Sequence, residues 1–246
     1  MSALVRTRAL VARRARTVVR AGAPVLLALV ATGCAGAAST PPTTSLPATA
    51  AGQSPIDVPA ARALERVPHR LFADYHATRE HLVHKAHTLE LVYDPGSRLE
   101  LDGESYALEQ LHFHTPSEHR VAGRRFPLEM HLVHQSDSGR FLVVGVLFDT
   151  GSPNAFLERL LRDAPLDEGR IDRDEPIDVG VLFREPAHFF AYDGSFTTPP
   201  YTEGVRWLIL QRRPEVSADQ VVRLLVLEGG NAREVQPLGQ RIVEEF

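Results

Sequence analysis

Residues 108–114, LEQLHFH, alternate in a way that suits an extended strand. Successive side chains of a strand point to opposite faces, so Gln110, His112 and His114 share one face while Leu111 and Phe113 share the other. A second stretch, PLEMHLVH at 127–134, puts Glu129, His131 and Val133 on one face. If the two strands are antiparallel neighbours, three imidazoles converge on one point. Three histidine nitrogens with a fourth position left for water describe a catalytic zinc site. Gln110 and Glu129 each stand two residues before a histidine on the same face. There each can accept the ring N–H that the ligating nitrogen does not use, and so fix the tautomer.

The rest of the folded part reads as mainly β with short peripheral helices. HTLELVYD (87–94) and RLELDG (98–103) alternate about the turn PGS and predict a hairpin. RFLVVGVLF (140–148) is apolar on both faces, as a central strand would be, and VRWLILQ (205–211) is another strand. NAFLERLLRD (154–163) predicts a short amphipathic helix. SADQVVRLLVL (217–227) predicts a second, opened by the capping pair Ser217 and Gln220 and ended before Gly229 and Gly230.

With 246 residues the chain can bury one sizeable core, and a single folded domain is expected at 53–246. Residues 1–56 hold six arginines and no acidic residue, whereas the whole chain carries a net charge of −4. The folded part is therefore acidic, which argues against a nucleic-acid partner. The arginines precede APVLLALVATGC, whose apolar run is far short of the ~20 residues of a membrane span. ATGC resembles a bacterial lipobox ending at Cys34, the only cysteine. Residues 1–34 are thus expected to be an export signal, with lipidation of Cys34 as a possible membrane anchor. Residues 35–52, small, polar and proline-bearing, are expected to be a flexible tether. The expected location is the periplasm or the outer face of the cell membrane.

The triplet His112, His114 and Glu118 has the H-x-H-x3-E form of the first cupin metal motif, but no P-x-G-x2-H motif follows it. Longer stretches resemble the α-class carbonic anhydrases, particularly the bacterial ones. They are QSPID (53–57), QLHFHTPSEH (110–119), EMHLVH (129–134), YDGSFTTPPYTEGVRW (192–207) and QPLGQR (236–241). The resemblance runs over roughly residues 52–246. It implies a central, largely antiparallel twisted sheet of about ten strands with a cleft ending at Zn2+. It assigns His112, His114 and His131 to zinc, with Gln110, Glu129 and the Asn231 carbonyl behind them.

The same resemblance implies reversible hydration of carbon dioxide to bicarbonate by a zinc-bound hydroxide. Thr197 would orient the nucleophile and give its own proton to Glu118, while Thr198 would help bind bicarbonate. Val133, Val143, Phe196 and Trp207 would form the apolar pocket for carbon dioxide. His87, in KAHT, would shuttle protons. Sulfonamides and small anions are the expected inhibitors, and the oligomeric state is left open. His119 and His134 match structural positions rather than ligands.

Three departures from the family pattern stand out. An aromatic segment, W-x-Y followed by G-P-x-x-W, is missing before QSPID. Lys85 and Glu90 replace neutral amides, and Phe196 replaces a common leucine. They imply a working enzyme with proton transfer as its slow step. The alternative is a carbonic-anhydrase-like zinc-binding surface module with weak catalysis.

Overall fold

The computed structural model describes residues 52–60, 64–183 and 187–246. The expected export signal, Cys34 and all of the tether but residue 52 lie outside them. The described chain runs through β1 (Asp57–Val58), β2 (Glu65–Arg66), β3 (Leu71–Asp74), β4 (Thr78–Lys85), β5 (Thr88–Val92), β6 (Arg98–Leu101) and β7 (Glu104–His114). It continues as β8 (Arg120–Val121), β9 (Arg124–Arg125), β10 (Leu128–Ser136), β11 (Phe141–Thr150), α1 (Ala155–Asp163) and β12 (Gly169–Ile177). Then come β13 (Phe189–Ser195), β14 (Glu203–Leu210), β15 (Glu215–Val216), α2 (Ala218–Glu228) and β16 (Glu244–Glu245).

Ten strands make the spine of one mixed sheet, in the order β12-β4-β5-β7-β10-β11-β14-β13-β16-β2, with β3, β6 and β15 attached beside it. Neighbours on the spine are antiparallel except β11–β14 and β16–β2. The architecture is the expected mainly β one. β11 lies between β10 and β14, and every residue from Leu142 to Phe148 is buried, which is why its sequence is apolar on both faces.

The two faces of the sheet have different tasks. Met130, Leu132, Val144 and Leu208 pack on one face in a core that includes Phe156, Leu160 and Leu224 of the helices. Each fully buried side chain of this size stabilises the fold by roughly 1.5–3 kcal/mol. Both helix starts are capped. Asn154 accepts from the Phe156 and Leu157 amides, and Ser217 and Gln220 form the reciprocal box. Gln220 also accepts from Asn154 N at 2.8 Å and donates to Asn154 O at 2.9 Å, joining the two helix N-termini. The opposite face gathers Val133, Val143, Trp207 and Ile209 with Ile56 and Phe126.

One expectation fails. The segments at 87–94 and 98–103 do not pair as a hairpin. β5 pairs with Gln110–His112 of β7 and β6 pairs with Glu104–Ala107, both antiparallel, so they follow one another along the same strand. Two strands running in the same direction cannot form a hairpin, and the PGS turn only shifts the chain along β7. β5 instead makes its hairpin with β4, and β6 with β7. Sequence reading also passed over β4, β12 and β13. β12 (GRIDRDEPI) is a mostly exposed edge strand whose charges hide the strand signal.

Candidate metal centre

The register of β7 on β10 sets His112 opposite His131 and His114 opposite Glu129. The next neighbour, β11, sets Gly145 opposite His131 and Val143 opposite Val133. β14 extends the second row with Trp207 opposite Val143. A row of polar ligands and a row of apolar side chains therefore lie side by side on one face.

The three rings meet as the alternation predicts. Ring centroids are 5.1 Å apart for His112–His114, 5.3 Å for His112–His131 and 4.5 Å for His114–His131. One nitrogen of each ring lies within 4.8 Å of the others. The remaining nitrogen of each is committed elsewhere. His112 Nδ1 donates to Gln110 Oε1 at 2.9 Å, His114 Nδ1 to the Asn231 carbonyl at 3.4 Å, and His131 Nε2 to Glu129 Oε1 at 2.9 Å. These bonds leave Nε2 of His112, Nε2 of His114 and Nδ1 of His131 as lone-pair donors. His114 Nε2 is buried with no hydrogen-bond partner, a position a metal ligand would hold and a structural histidine would not.

Electrostatics suit the same use. Burial, reinforced by the neighbouring His131, lowers the His112 pKa to about 3 and that of His114 well below its ordinary value. Both rings are thus neutral at ordinary pH and need lose no proton to bind a metal. His131 differs: burial lowers it, but the charge and hydrogen bond of Glu129 outweigh burial and raise it. Burial acts to raise Glu129, yet His119 and His131 hold it well below the usual range. The all-imidazole nitrogen set fits zinc by ligand type and number.

Behind these histidines lies a polar network that joins Glu118 and Glu129 to Tyr192, Ser54 and Arg233, which sequence reading left without a role. Glu129 Oε2 accepts the Glu118 and His119 amides at 2.9 and 2.8 Å, and Oε1 lies 2.7 Å from His119 Nδ1. His119 Nε2 is 2.6 Å from the Tyr192 hydroxyl, which donates to Ser54 Oγ at 2.8 Å. Arg233 N donates to Glu118 Oε1 at 2.8 Å, while its guanidinium holds Ser54 O and Gln53 Oε1 at 2.6 and 2.9 Å. The QSPID segment is thus bolted to the back of the site. No local spacing could reveal Arg233, which is 115 residues from Glu118. Asn231 does more than offer its carbonyl. Its amide accepts from Thr115 N and donates to His87 O and Phe113 O, tying three segments together.

In front lies a cavity of about 240 Å³, lined by His112 and His131 with Gln110, Val133, Val143, Phe196, Thr197, Thr198 and Trp207. Trp207 Nε1 donates to Ser195 O at 2.9 Å, which fixes the indole in the wall. Burial pushes Glu118 up to about 7, against the pull of His131, the Thr197 hydroxyl and the Arg233 amide. Lys85, Thr88 and Glu90 complete the lining, with Lys85 Nζ 3.3 Å from Glu90 Oε1. His87 is not among the lining residues. It is exposed on the β4–β5 turn, and its Nδ1 donates to Glu228 O at 3.0 Å. His134 takes a structural place, its nitrogens 3.0 Å from Leu132 O and the Tyr75 hydroxyl.

Comparison with known proteins shows the family and the fold. A family model described as eukaryotic-type carbonic anhydrase matches residues 43–246. The chain is 33% identical over 207 residues to a carbonic anhydrase of Pectobacterium carotovorum, covering 82% of this chain and 83% of that one. It is 34% identical over 202 residues to a carbonic anhydrase of Neisseria gonorrhoeae, covering 80% and 78% respectively. The α-carbonic anhydrase of Thermovibrio ammonificans, solved with the inhibitor sulfanilamide, superposes with a TM-score of 0.76 at 36% identity. That match covers 79% of this chain and 87% of the solved one.

Proposed function

Because this chain belongs to the eukaryotic-type, or alpha, carbonic anhydrase family, an enzyme class that hydrates carbon dioxide, we propose that His112, His114 and His131 hold its zinc ion. The observation that carries the reading is the set of three converging ring nitrogens, each freed by a hydrogen bond on the other side of its ring. Bound there, zinc supplies a water whose pKa falls to about 7, and so a nucleophile near neutrality.

The protein's own groups do the rest. Thr197 would donate its hydroxyl hydrogen bond to Glu118, so its oxygen could only accept one from the nucleophile, whose lone pair would then face carbon. Val133, Val143, Phe196 and Trp207 form a dry wall on which apolar carbon dioxide rests. Thr198 offers a hydroxyl to bicarbonate as it forms. The proton then leaves through the mouth of the cavity to His87, one residue from the lining Thr88. Sulfonamides would bind in this cavity, a reading supported by the solved complex of the Thermovibrio enzyme with the inhibitor sulfanilamide.

Stopped-flow hydration of carbon dioxide, with zinc measured on the same sample, tests the reading. Rapid turnover at one zinc per chain, blocked by sulfanilamide and lost in His112→Ala, is the expected result. Full zinc occupancy without turnover would instead identify a zinc-binding surface module.

We further propose that the protein works outside the cytoplasm, tethered through lipidated Cys34; the ATGC sequence and the arginine-rich segment before it support this reading. Mass spectrometry of the membrane fraction should find a diacylated Cys34 at the N-terminus; a mature start elsewhere rejects the anchor.

A further inference from the structure

An acidic cluster is drawn from β4, α1 and β12, elements that carry none of the three converging histidines. Glu80 projects from β4 beneath the last turn of α1, where Asp163 ends the helix. Glu175 comes from an irregularity in β12, where the pairing register shifts between Arg173 and Pro176. A strand bulge re-aims a side chain out of the ladder. One carboxylate oxygen from each of Glu80, Asp163 and Glu175 lies within 4.8 Å of the other two. Two oxygens on opposite sides of a calcium ion, each at about 2.3–2.6 Å, stand about 4.6–5.2 Å apart, so one ion can span this set.

Acidic clusters are common on protein surfaces, but Glu80 is not a surface residue. It is 0% exposed, and neither of its carboxylate oxygens has a hydrogen-bond partner. A buried carboxylate without donors is costly unless an opposite charge sits against it. The nearest guanidinium, Arg159, stands 3.8 Å away and makes its hydrogen bond to Glu175 at 3.1 Å instead. Arg162 pairs with Asp163 at 2.8 Å and approaches Glu175 at 3.7 Å, while Arg173 is 3.5 Å from Asp163. The heads of Arg162 and Arg173 are 59% and 45% exposed, so both can turn into water at little cost. The C-terminal end of α1 adds the negative end of its dipole to the same place.

We propose that Glu80, Asp163 and Glu175 form a site for a hard divalent cation of the calcium class, separate from the histidine centre. The donors are all oxygen, which suits calcium or magnesium rather than zinc or copper. The set is irregular and drawn from three elements, which suits calcium's flexible coordination better than magnesium's strict octahedron. The ion would take the place between Glu80 and Glu175 that Arg159 Nη2 now holds, 3.8 and 3.1 Å from their carboxylates, displace Arg159, Arg162 and Arg173 outward, and tie α1 to the edge of the sheet.

Isothermal titration of the zinc-loaded protein with calcium chloride tests this directly, with magnesium chloride as the comparison. A saturable single site with a dissociation constant of about 10⁻⁴–10⁻³ M is expected, in the range of extracellular calcium modules. Magnesium should bind at least tenfold more weakly. Glu175→Gln changes an exposed side chain and should weaken calcium binding at least tenfold without altering the fold. Glu80→Gln should abolish it, and His112→Ala should leave it unchanged. No saturation by about 10 mM calcium, or undiminished binding in Glu175→Gln, overturns the site.

Discussion

Gly145 stands opposite His131 on the neighbouring strand, and the side chain it lacks leaves the space that the Glu129 carboxylate occupies. A Cβ at this position would lie 3.0 Å from Glu129 Oε1 and 2.8 Å from Ile209 Cδ1. Glu129 cannot swing aside freely, because His119, His131 and two backbone amides hold it. Gly145→Ala should therefore disturb the carboxylate behind the metal ligand rather than the ligand itself. Zinc affinity should fall roughly 10-fold or more, the lower end of what removing such a partner costs. Competition with a zinc chelator would measure it, and an unchanged affinity would show that Ile209 and the strand absorb the methyl group.

Glu129 and His119 form a pair with no exposed surface on either side chain. Removing the His119 ring takes one of four donors from the buried Glu129 carboxylate, which keeps His131 and two backbone amides. His119→Leu should cost about 1.5–3 kcal/mol in urea unfolding. Glu129→Gln keeps the shape but loses the charge, and should weaken zinc binding by about 10–100-fold. A His119→Leu protein of wild-type stability would refute the role given to the pair.

Val143 lies between Val133 and Trp207 in the apolar row of the cavity wall. Val143→Tyr would fill much of the roughly 240 Å³ in front of the histidines without touching them. Turnover should drop by about 100-fold or more with zinc retained, since a misplaced substrate loses its near-attack position. Loss of zinc along with turnover would mean that the wall also supports the ligands.

Glu228, at the end of α2, is fully buried and accepts the Leu89 amide at 2.8 Å. Burial pushes its carboxyl from 4.5 up to about 8, against the pull of that amide. Between these values the folded protein keeps a proton that the unfolded chain has released. Stability therefore falls as pH rises from about 4.5 to 8 and levels off above, by a few kcal/mol in order of magnitude. Glu228→Gln keeps the acceptor for Leu89 and should flatten that slope in urea midpoints taken across the range. An identical slope in the variant would assign the pH dependence elsewhere.

His87 and the Lys85–Glu90 pair can be separated by buffer dependence. The pair lies in the cavity lining, whereas His87 is exposed beyond it. His87→Ala should lower turnover about 10-fold in weak buffer, within the general acid–base range, and imidazole buffer should restore it. If turnover is unchanged in weak buffer, the proton leaves by another route.

The sequence by itself determined which side chains of each strand share a face, because that information is local. Period two places His112 and His114 together, and the i, i+2 spacing places Gln110 and Glu129 behind their histidines. The cap at Ser217 and the doubly apolar run of β11 were legible for the same reason: each is decided within a few residues. The tertiary structure alone decided what depends on pairing between distant segments. It turned the supposed hairpin at 87–103 into two strands laid end to end along β7. It brought Arg233 to Glu118, Tyr192 and Ser54 to His119, and Gly145 to Glu129. Residue type alone does not encode such contacts; they follow from strand order and register, which a whole sheet settles at once.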